Sequence, residues 1–327
     1  MKSPLLSIII LNWNGRNHIP ACLESVLASE YRHFEIIVID NGSTDGSLDF
    51  LRAQQPSIRL VENGCNLGYA AASNIGFKLA AGEYIANLNN DTVVDPAWLN
   101  DPIKYLEHDP RIGAVGCRLM DANRPGYLDG LYHIIMPDLG PLPFAFLKKF
   151  DAENPRMARP GFVIGAHGGA AIYRKKMIDE LNGFDETYWA YYEEIDLCMR
   201  AFLRGWKCLY VPSAIVHHKG AASFDRTSAN YLYLRERNRL WFIFRNYPLA
   251  LIIRHLPLMI LFELRIMRVL FFKFKYPAIY FKSRWDALLG LPRHAPIRRL
   301  NMKLFKLHKN EFERLYREKI IFIETSR

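Results

Sequence analysis

Four short polar segments place amides, carboxylates and glycines where apolar runs end. They are Asn12-Trp13-Asn14-Gly15, Asp40-Asn41-Gly42-Ser43-Thr44-Asp45, Asn63-Gly64-Cys65-Asn66-Leu67-Gly68-Tyr69 and Asn89-Asn90-Asp91-Thr92. An acid such as Asp40 can accept from a base or ribose donor. Glycine-rich turns bring backbone N–H groups up to phosphates, and a carboxylate such as Asp91 can hold a divalent cation among waters. Singly, each segment is also an ordinary turn or helix start; four in register point to a nucleotide site. A second group is Glu193-Glu194-Ile195-Asp196, preceded by Trp189-Ala190-Tyr191-Tyr192. Acids at a helix start suit the macrodipole. The flanking aromatics would also make a partly dry pocket, which raises a carboxylate pKa and suits a general base. A third is His217-His218 after a short apolar run, a candidate metal ligand.

The elements that must position these groups alternate in period. Leu5–Leu11, Phe34–Ile39, Ile58–Val61, Tyr84–Leu88 and Ile112–Cys117 read as buried strands, with helical spacing between them. That alternation means βαβ units and a mostly parallel sheet, in which ligands bind beyond the carboxyl ends of the strands. Residues 120–160 hold six prolines and read as a long irregular connection with a lid role. Beyond it, 162–173 is strand-like, 174–181 and 193–204 are helical, and 207–211 and 214–217 are short strands.

The chain has 327 residues, half of them hydrophobic and 23% charged, a globular composition. The net charge of +10 is unevenly spread. Residues 1–225 hold 21 basic and 26 acidic side chains, and residues 226–327 hold 22 and 7. Basic charge confined to an apolar tail argues against a nucleic-acid binder. The tail has no 18-residue uncharged stretch, so a membrane span is disfavoured. Arg265, Arg268 and Lys275 form a narrow stripe on a wide apolar helix, which suits lying in a membrane interface and attraction to anionic lipid. Self-association is the other use of such a face. Residues 300–327 read as a solvated helix. Five cysteines without a C-x-x-C pair predict reduced thiols in a cytosolic setting, and the first apolar run is not a secretory signal.

In this order, SIIILNWNG, IIVIDNGSTDGS, NLGYAAASNIGFKLAAGEY, LNNDT, LNGFDETYWAYYEEIDLCMR and VPSAIVHHKGAAS resemble the family 2 glycosyltransferases, inverting enzymes that use nucleotide sugars. The resemblance spans residues 5–225 and is strong to bacterial rhamnosyltransferases of O-antigen and other cell-surface polysaccharides. It implies an α/β, GT-A-type fold, Rossmann-like with a mostly parallel central sheet. It also implies a catalytic domain over 1–225, split into a nucleotide-binding half (1–118) and an acceptor-binding half (119–225). A basic, apolar helical extension over 226–327 follows, associated with membrane. The resemblance further implies nucleotide contacts by Asn12, Trp13, Asn14, Asp40, Asn41, Asn66, Gly68 and Asn90. Asp91 and His218 would hold a divalent cation, Mn²⁺ or Mg²⁺, with His217 the alternative to His218. Asn89 stands where the family has an acid, which leaves Asp91 as the sole carboxylate. Glu194 matches the general base, where the family has Asp, so Glu193 and Asp196 stay as alternates. Gly165, Ala166, Trp189 and Tyr191 would meet the acceptor. The implied reaction moves rhamnose from dTDP-rhamnose to a saccharide carried on a polyprenyl diphosphate, at the inner face of the plasma membrane. A UDP-sugar donor, or a non-catalytic nucleotide-binding module, are the alternatives.

Overall fold

In the computed structural model, which describes residues 4–220 and 227–323, strand β1 (Leu6–Asn12) is buried on both faces. Successive side chains point opposite ways. Ile9 and Leu11 pack with Ile37 and Ile39 on one side; Ile8 and Ile10 pack with Ile36 and Val38 on the other. Full burial of each such side chain stabilises by roughly 1.5–3 kcal/mol. A strand buried on both faces needs helices above and below, the signature of parallel βαβ units. The first half supplies them: α1 (Ile19–Leu27), β2 (Phe34–Asp40), α2 (Ser47–Arg52), β3 (Arg59–Glu62), α3 (Tyr69–Leu79), β4 (Tyr84–Asn89), β5 (Thr92–Val94), α4 (Asn100–His108) and β6 (Ile112–Asp121). β1 pairs in parallel with β2 and β4, in a register that sets Asn12 beside Asp40 and Leu11 beside Asn89. The polar segments therefore share one edge.

The second half contains β7 (Leu128–Gly130), β8 (Tyr132–Ile135), β9 (Pro141–Pro143), α5 (Pro155–Ala158), β10 (Gly161–Val163), β11 (Gly165–Ala166), β12 (Ala170–Arg174), α6 (Lys175–Leu181), α7 (Glu193–Phe202) and β13 (Lys207–His218). The chain leaves β6 at the carboxyl edge and re-enters through β12 from that same edge. β12 must therefore run antiparallel to both its neighbours, β4 and β6. The sheet is thus mixed rather than mostly parallel, an α/β sheet of GT-A type. Residues 120–160 are not the irregular connection their prolines suggested. β7 extends the main sheet, and β11-β8-β9 form a small antiparallel sheet of their own. Pro141 and Pro143 are tolerated because β9 is an edge strand, where a missing N–H costs little.

The tail holds α8 (Ala229–Asn246), α9 (Leu249–Arg268), a π-helical turn over Val269–Lys273, α10 (Pro277–Glu318) and β14 (Ile321–Phe322). The expected boundary at 225/226 lies outside the described residues. The tail is not a loose appendage. α10 runs back along α8, its end buries Phe305, Phe312 and Leu315 in the main core, and β14 pairs with β10 at the sheet edge. The stretch read as a solvated helix is therefore docked from 300 to 318, because those three apolar residues recur on one helical face. Ile253, Leu261, Leu264, Phe272, Trp285 and Leu289 remain exposed on α9, the π turn and α10. Among the described residues, no helix is long and apolar enough to cross a membrane.

Candidate functional site

A cavity of about 340 Å³ opens at the carboxyl edge of the sheet, within the size range of small-molecule sites. Strand order arranges its walls. The ends of β1 and β2 bring Asn12, Trp13 and Asn41 to one end, and the turn between β3 and α3 brings Asn66 there. The β4–β5 turn brings Asn89, Asn90 and Asp91, and the end of β13 brings His218. The loop before β12 and the start of α7 bring His167, Gly168, Glu193 and Glu194.

At the first end, the buried Asn12 amide donates to Asp40 Oδ2 at 2.8 Å and to Ser47 Oγ at 3.0 Å, and its Oδ1 accepts from Asn90 at 2.9 Å. Gly15 makes this possible: a Cβ there would lie 2.0 Å from Asn90 Nδ2 and 2.3 Å from Asn12 Oδ1. Asp40 does not line the cavity. Its other oxygen accepts from the Gly42 and Ser43 N–H groups, so the carboxylate is spent on orienting Asn12 and closing a turn. Asn14 also lies off the wall, tying the ends of β1 and β2 together through Ser43 and Thr44. Gly68 stands behind Trp189, where its φ of +88° and a ring 2.6 Å from any Cβ exclude a side chain. Asn41 bridges Asn63, Leu67 and Asn66.

At the centre, His218 Nε2 faces Asp91 Oδ1 at 3.2 Å, and its Nδ1 faces Asp129 Oδ2 at 2.7 Å. Burial pulls this imidazole down, but the two carboxylates more than offset it and hold it up at about 10. Asp129, on β7, fixes the ring as the outer partner of a metal-bound histidine does. Strand alternation sends His217 the other way, to Asp95 at 3.2 Å, away from the cavity. Asn89 Oδ1 is buried without a hydrogen-bond partner beside this pair. Carboxylate, amide oxygen and imidazole suit a hard or borderline divalent cation. Among the described residues, no cluster of three His, Cys, Asp or Glu groups assembles, so the protein's ionisable donors there are two.

At the far side, Glu194 Oε1 meets His133 Nε2 at 3.3 Å, and Oε2 has no protein partner. Burial pushes this carboxyl up, but the His133 hydrogen bond and charge, with a backbone N–H and His167, outweigh it and hold it below the usual glutamate range. Glu193 is pushed the other way, well up, by burial and by the Glu194 charge. Two adjacent acids with opposed shifts divide the labour: Glu194 is held toward its ionised form and Glu193 toward its protonated form. Asp196 lies outside the cavity, which corrects its place as an alternate base. It accepts from Tyr188, Asn246, Arg200 and Arg245 on the opposite face of α7. Gly165 and Ala166 are likewise buried, paired with His133 and Tyr132 rather than lining the wall. The wall-lining residues follow at 167–169.

Trp189 and Tyr191 do line the cavity. Trp189, Tyr191 and Tyr192 all have positive φ, 67°, 68° and 79°, a strain of order 1–3 kcal/mol each that the surroundings must hold. Asn238 of α8 holds it: its Nδ2 donates to the carbonyls of Tyr188, Ala190 and Tyr191 at 3.0, 2.8 and 2.8 Å. The tail thus sets the approach to Glu194. His133, His167, Asp129 and Arg235 were missed from sequence. The available signal was a polar residue inside a short apolar run, as His133 stands in Leu131–Ile135.

The family model described as glycosyl transferase family 2 matches residues 7–181, just over half the chain. The chain belongs to that family and is a glycosyltransferase. It is 27% identical over 267 residues, 72% of this chain and 86% of the relative, to an N-acetylglucosaminyl-diphospho-decaprenol L-rhamnosyltransferase of Mycobacterium tuberculosis. It is 36% identical over 104 residues, 32% of this chain and 41% of the relative, to a UDP-Glc:alpha-D-GlcNAc-diphosphoundecaprenol beta-1,3-glucosyltransferase of Escherichia coli. In fold it is similar to a mannosyltransferase of Pyrobaculum calidifontis, solved with GDP-Man and Mn²⁺. The TM-score is 0.54 and the identity 17%, over 93% of this chain and 85% of that one.

Proposed function

We propose that this family 2 glycosyltransferase moves a sugar, with inversion, from a nucleotide-sugar donor to a saccharide carried on a polyprenyl diphosphate. The observation that carries the reading is Glu194 on the cavity wall, its Oε1 3.3 Å from His133 Nε2 and its Oε2 without a protein partner, which leaves a carboxylate oxygen to take a proton. The acceptor hydroxyl attacks the anomeric carbon as the bond to the nucleoside diphosphate breaks. Its proton passes to Glu194, and a single displacement inverts the centre. Asn12, Trp13, Asn41, Asn66 and Asn90 hold the nucleotide end, and Trp189 and Tyr191 flank the acceptor. Asp91 and His218 would hold a divalent cation, Mn²⁺ or Mg²⁺, with Asn89 Oδ1 beside them. When bound, such an ion supplies positive charge for the departing diphosphate. The rhamnosyltransferase relative supports dTDP-rhamnose as donor and a lipid-linked acceptor; the glucosyltransferase relative keeps a UDP-sugar as the second reading.

Thermal denaturation with dTDP, UDP or GDP, each with and without Mn²⁺ or Mg²⁺, tests the donor site, since a ligand of the native state raises the melting temperature by mass action. A metal-dependent rise with dTDP is expected, and Asp91→Asn should abolish its metal dependence. A larger rise with UDP would transfer the donor assignment. No rise with any nucleotide would overturn the reading.

The exposed face of α9 and α10 is proposed to dock on an anionic bilayer, which would place the enzyme peripherally at the cytoplasmic face. Support comes from the tail's 22 basic against 7 acidic residues around exposed apolar side chains. Truncating the tail would strip the core, so the test is Leu261→Glu with Trp285→Glu, at positions 62% and 63% exposed. The variant should lose sedimentation with phosphatidylglycerol vesicles at an unchanged melting temperature. Undiminished sedimentation would refute the docking face.

A further inference from the structure

We propose that Arg235 is the diphosphate-binding residue of the acceptor subsite, an inference that rests on the lipid-linked acceptor proposed above. Arg235 lies on α8 and its side chain lines the cavity, with Tyr231, Tyr191, Phe146 and the Pro141–Pro143 strand. Four neighbouring arginines have carboxylate or carbonyl partners inside the protein. Arg239 pairs with Asp138 and Glu263, Arg245 with Asp185 and Asp196, and Arg284 with Glu236 and Glu263. Arg237 is bonded to the Tyr188 carbonyl and Asn238. Arg235 donates to the Tyr231 hydroxyl, but among the described residues no carboxylate forms an ion pair with it. A partly buried cation is costly unless an anion meets it, and a guanidinium matches phosphate oxygens two at a time.

Two anions must enter this cavity if the acceptor is a lipid diphosphate. The donor's diphosphate has its own place at the β4–β5 turn, with Asp91 and His218. Arg235 stands on a different wall, contributed by the tail. Its surroundings are aromatic and apolar: Tyr231 meets Tyr191 edge-on at 4.9 Å between ring centroids. They suit the first isoprene units of a lipid rather than a second nucleotide. The same helix leads outward. Tyr233 donates to Asp286 of α10 at 2.6 Å, next to exposed Trp285 and near the exposed Leu288 and Leu289. This contact sets the α8 helix that carries Arg235 beside the part of α10 that belongs to the face proposed to meet the bilayer. The proposal assigns the acceptor's phosphates to the tail, and the donor's to the sheet.

The test uses the full chain saturated with nucleoside diphosphate and Mn²⁺, so that the donor site is filled, and titrates farnesyl diphosphate as probe. Arg235→Gln should weaken farnesyl diphosphate binding about tenfold or more, the worth of a charge-assisted contact, and Arg235→Lys should fall between it and wild type. The nucleoside diphosphate affinity should move less than twofold. In turnover, the preference for a diphosphate-linked acceptor over a phosphate-free alkyl glycoside should shrink by a similar factor. Equal farnesyl diphosphate binding by wild type and both variants would overturn the role of Arg235. An equal loss of nucleotide affinity would reassign the residue to the donor and also overturn it. Wild-type protein that binds nucleotide but no farnesyl diphosphate would instead sink the lipid-acceptor reading beneath it. If Arg235→Gln does not fold, the lysine variant and the acceptor preference decide.

Discussion

Glu194→Gln is expected to lower turnover about 10²–10⁴-fold, the usual worth of a positioned general base, while nucleotide affinity stays within about twofold of wild type. Glutamine keeps the size and the hydrogen bond to His133 but cannot take a proton. Glu193→Gln is the informative partner. Burial and the Glu194 charge push its carboxyl well up, toward the neutral form, so a neutral amide there disturbs the site little, and about tenfold loss or less is expected. The pH profile follows from the same split. Glu194 is held below the ordinary range near 4.3, so its basic form persists until pH falls below that range, and the acid limb of kcat should lie there. Steady-state kinetics on the two variants checks the assignment. Unchanged turnover in Glu194→Gln would reject the base, and a dead Glu193→Gln beside an active Glu194→Gln would exchange the roles.

The division between what the sequence disclosed and what it withheld follows the range of the interactions. Asn12, Asn41, Asn66, Asn90 and Asp91 were legible because each sits at the end of an apolar run, and parallel register alone brings such ends together. Asp196 was separable from Glu194 in principle: two residues along a helix turn a side chain about 200°, to the other face. The partners of the site were not legible. His133 is 61 residues from Glu194 and Asp129 is 89 from His218, and both sit on strands of three or four residues inside a proline-rich stretch. Gly165 and Ala166, which the resemblance set against the acceptor, are paired with β8, and the cavity wall begins one residue later at His167. Asp40 illustrates the opposite case, where the ordinary turn that its Asn-Gly neighbours suggest is what formed.

The tail carries the largest misjudgement and hence the second strong prediction. The tail read as a basic, apolar extension with a surface stripe of Arg265, Arg268 and Lys275, yet Arg245 within it is fully buried, 2.8 Å from Asp185 and 3.4 Å from Asp196. Those acids flank the strained turn at Trp189–Tyr192, one before the 3-10 turn at Glu186–Tyr188 and one inside α7. Arg245→Ala would leave both carboxylates buried with less compensation, which typically costs about 3–5 kcal/mol, a large share of the 5–15 kcal/mol that holds a domain together. The pH signature tells this apart from lost packing. Burial raises the Asp185 carboxyl, but Arg245, Thr187 and the local backbone more than offset it and hold it at about 2. A depressed native pKa contributes stability that is full above the unfolded value near 4 and is lost as pH falls toward 2. Melting temperatures of wild type should therefore drop steeply between about pH 4 and 2, and the Arg245→Ala curve should be lower and flatter in that window. A tail that served only as a membrane appendage would leave the melt of Arg245→Ala unchanged at neutral pH. The geometry argues otherwise: the helix that carries Glu194 is anchored by the tail.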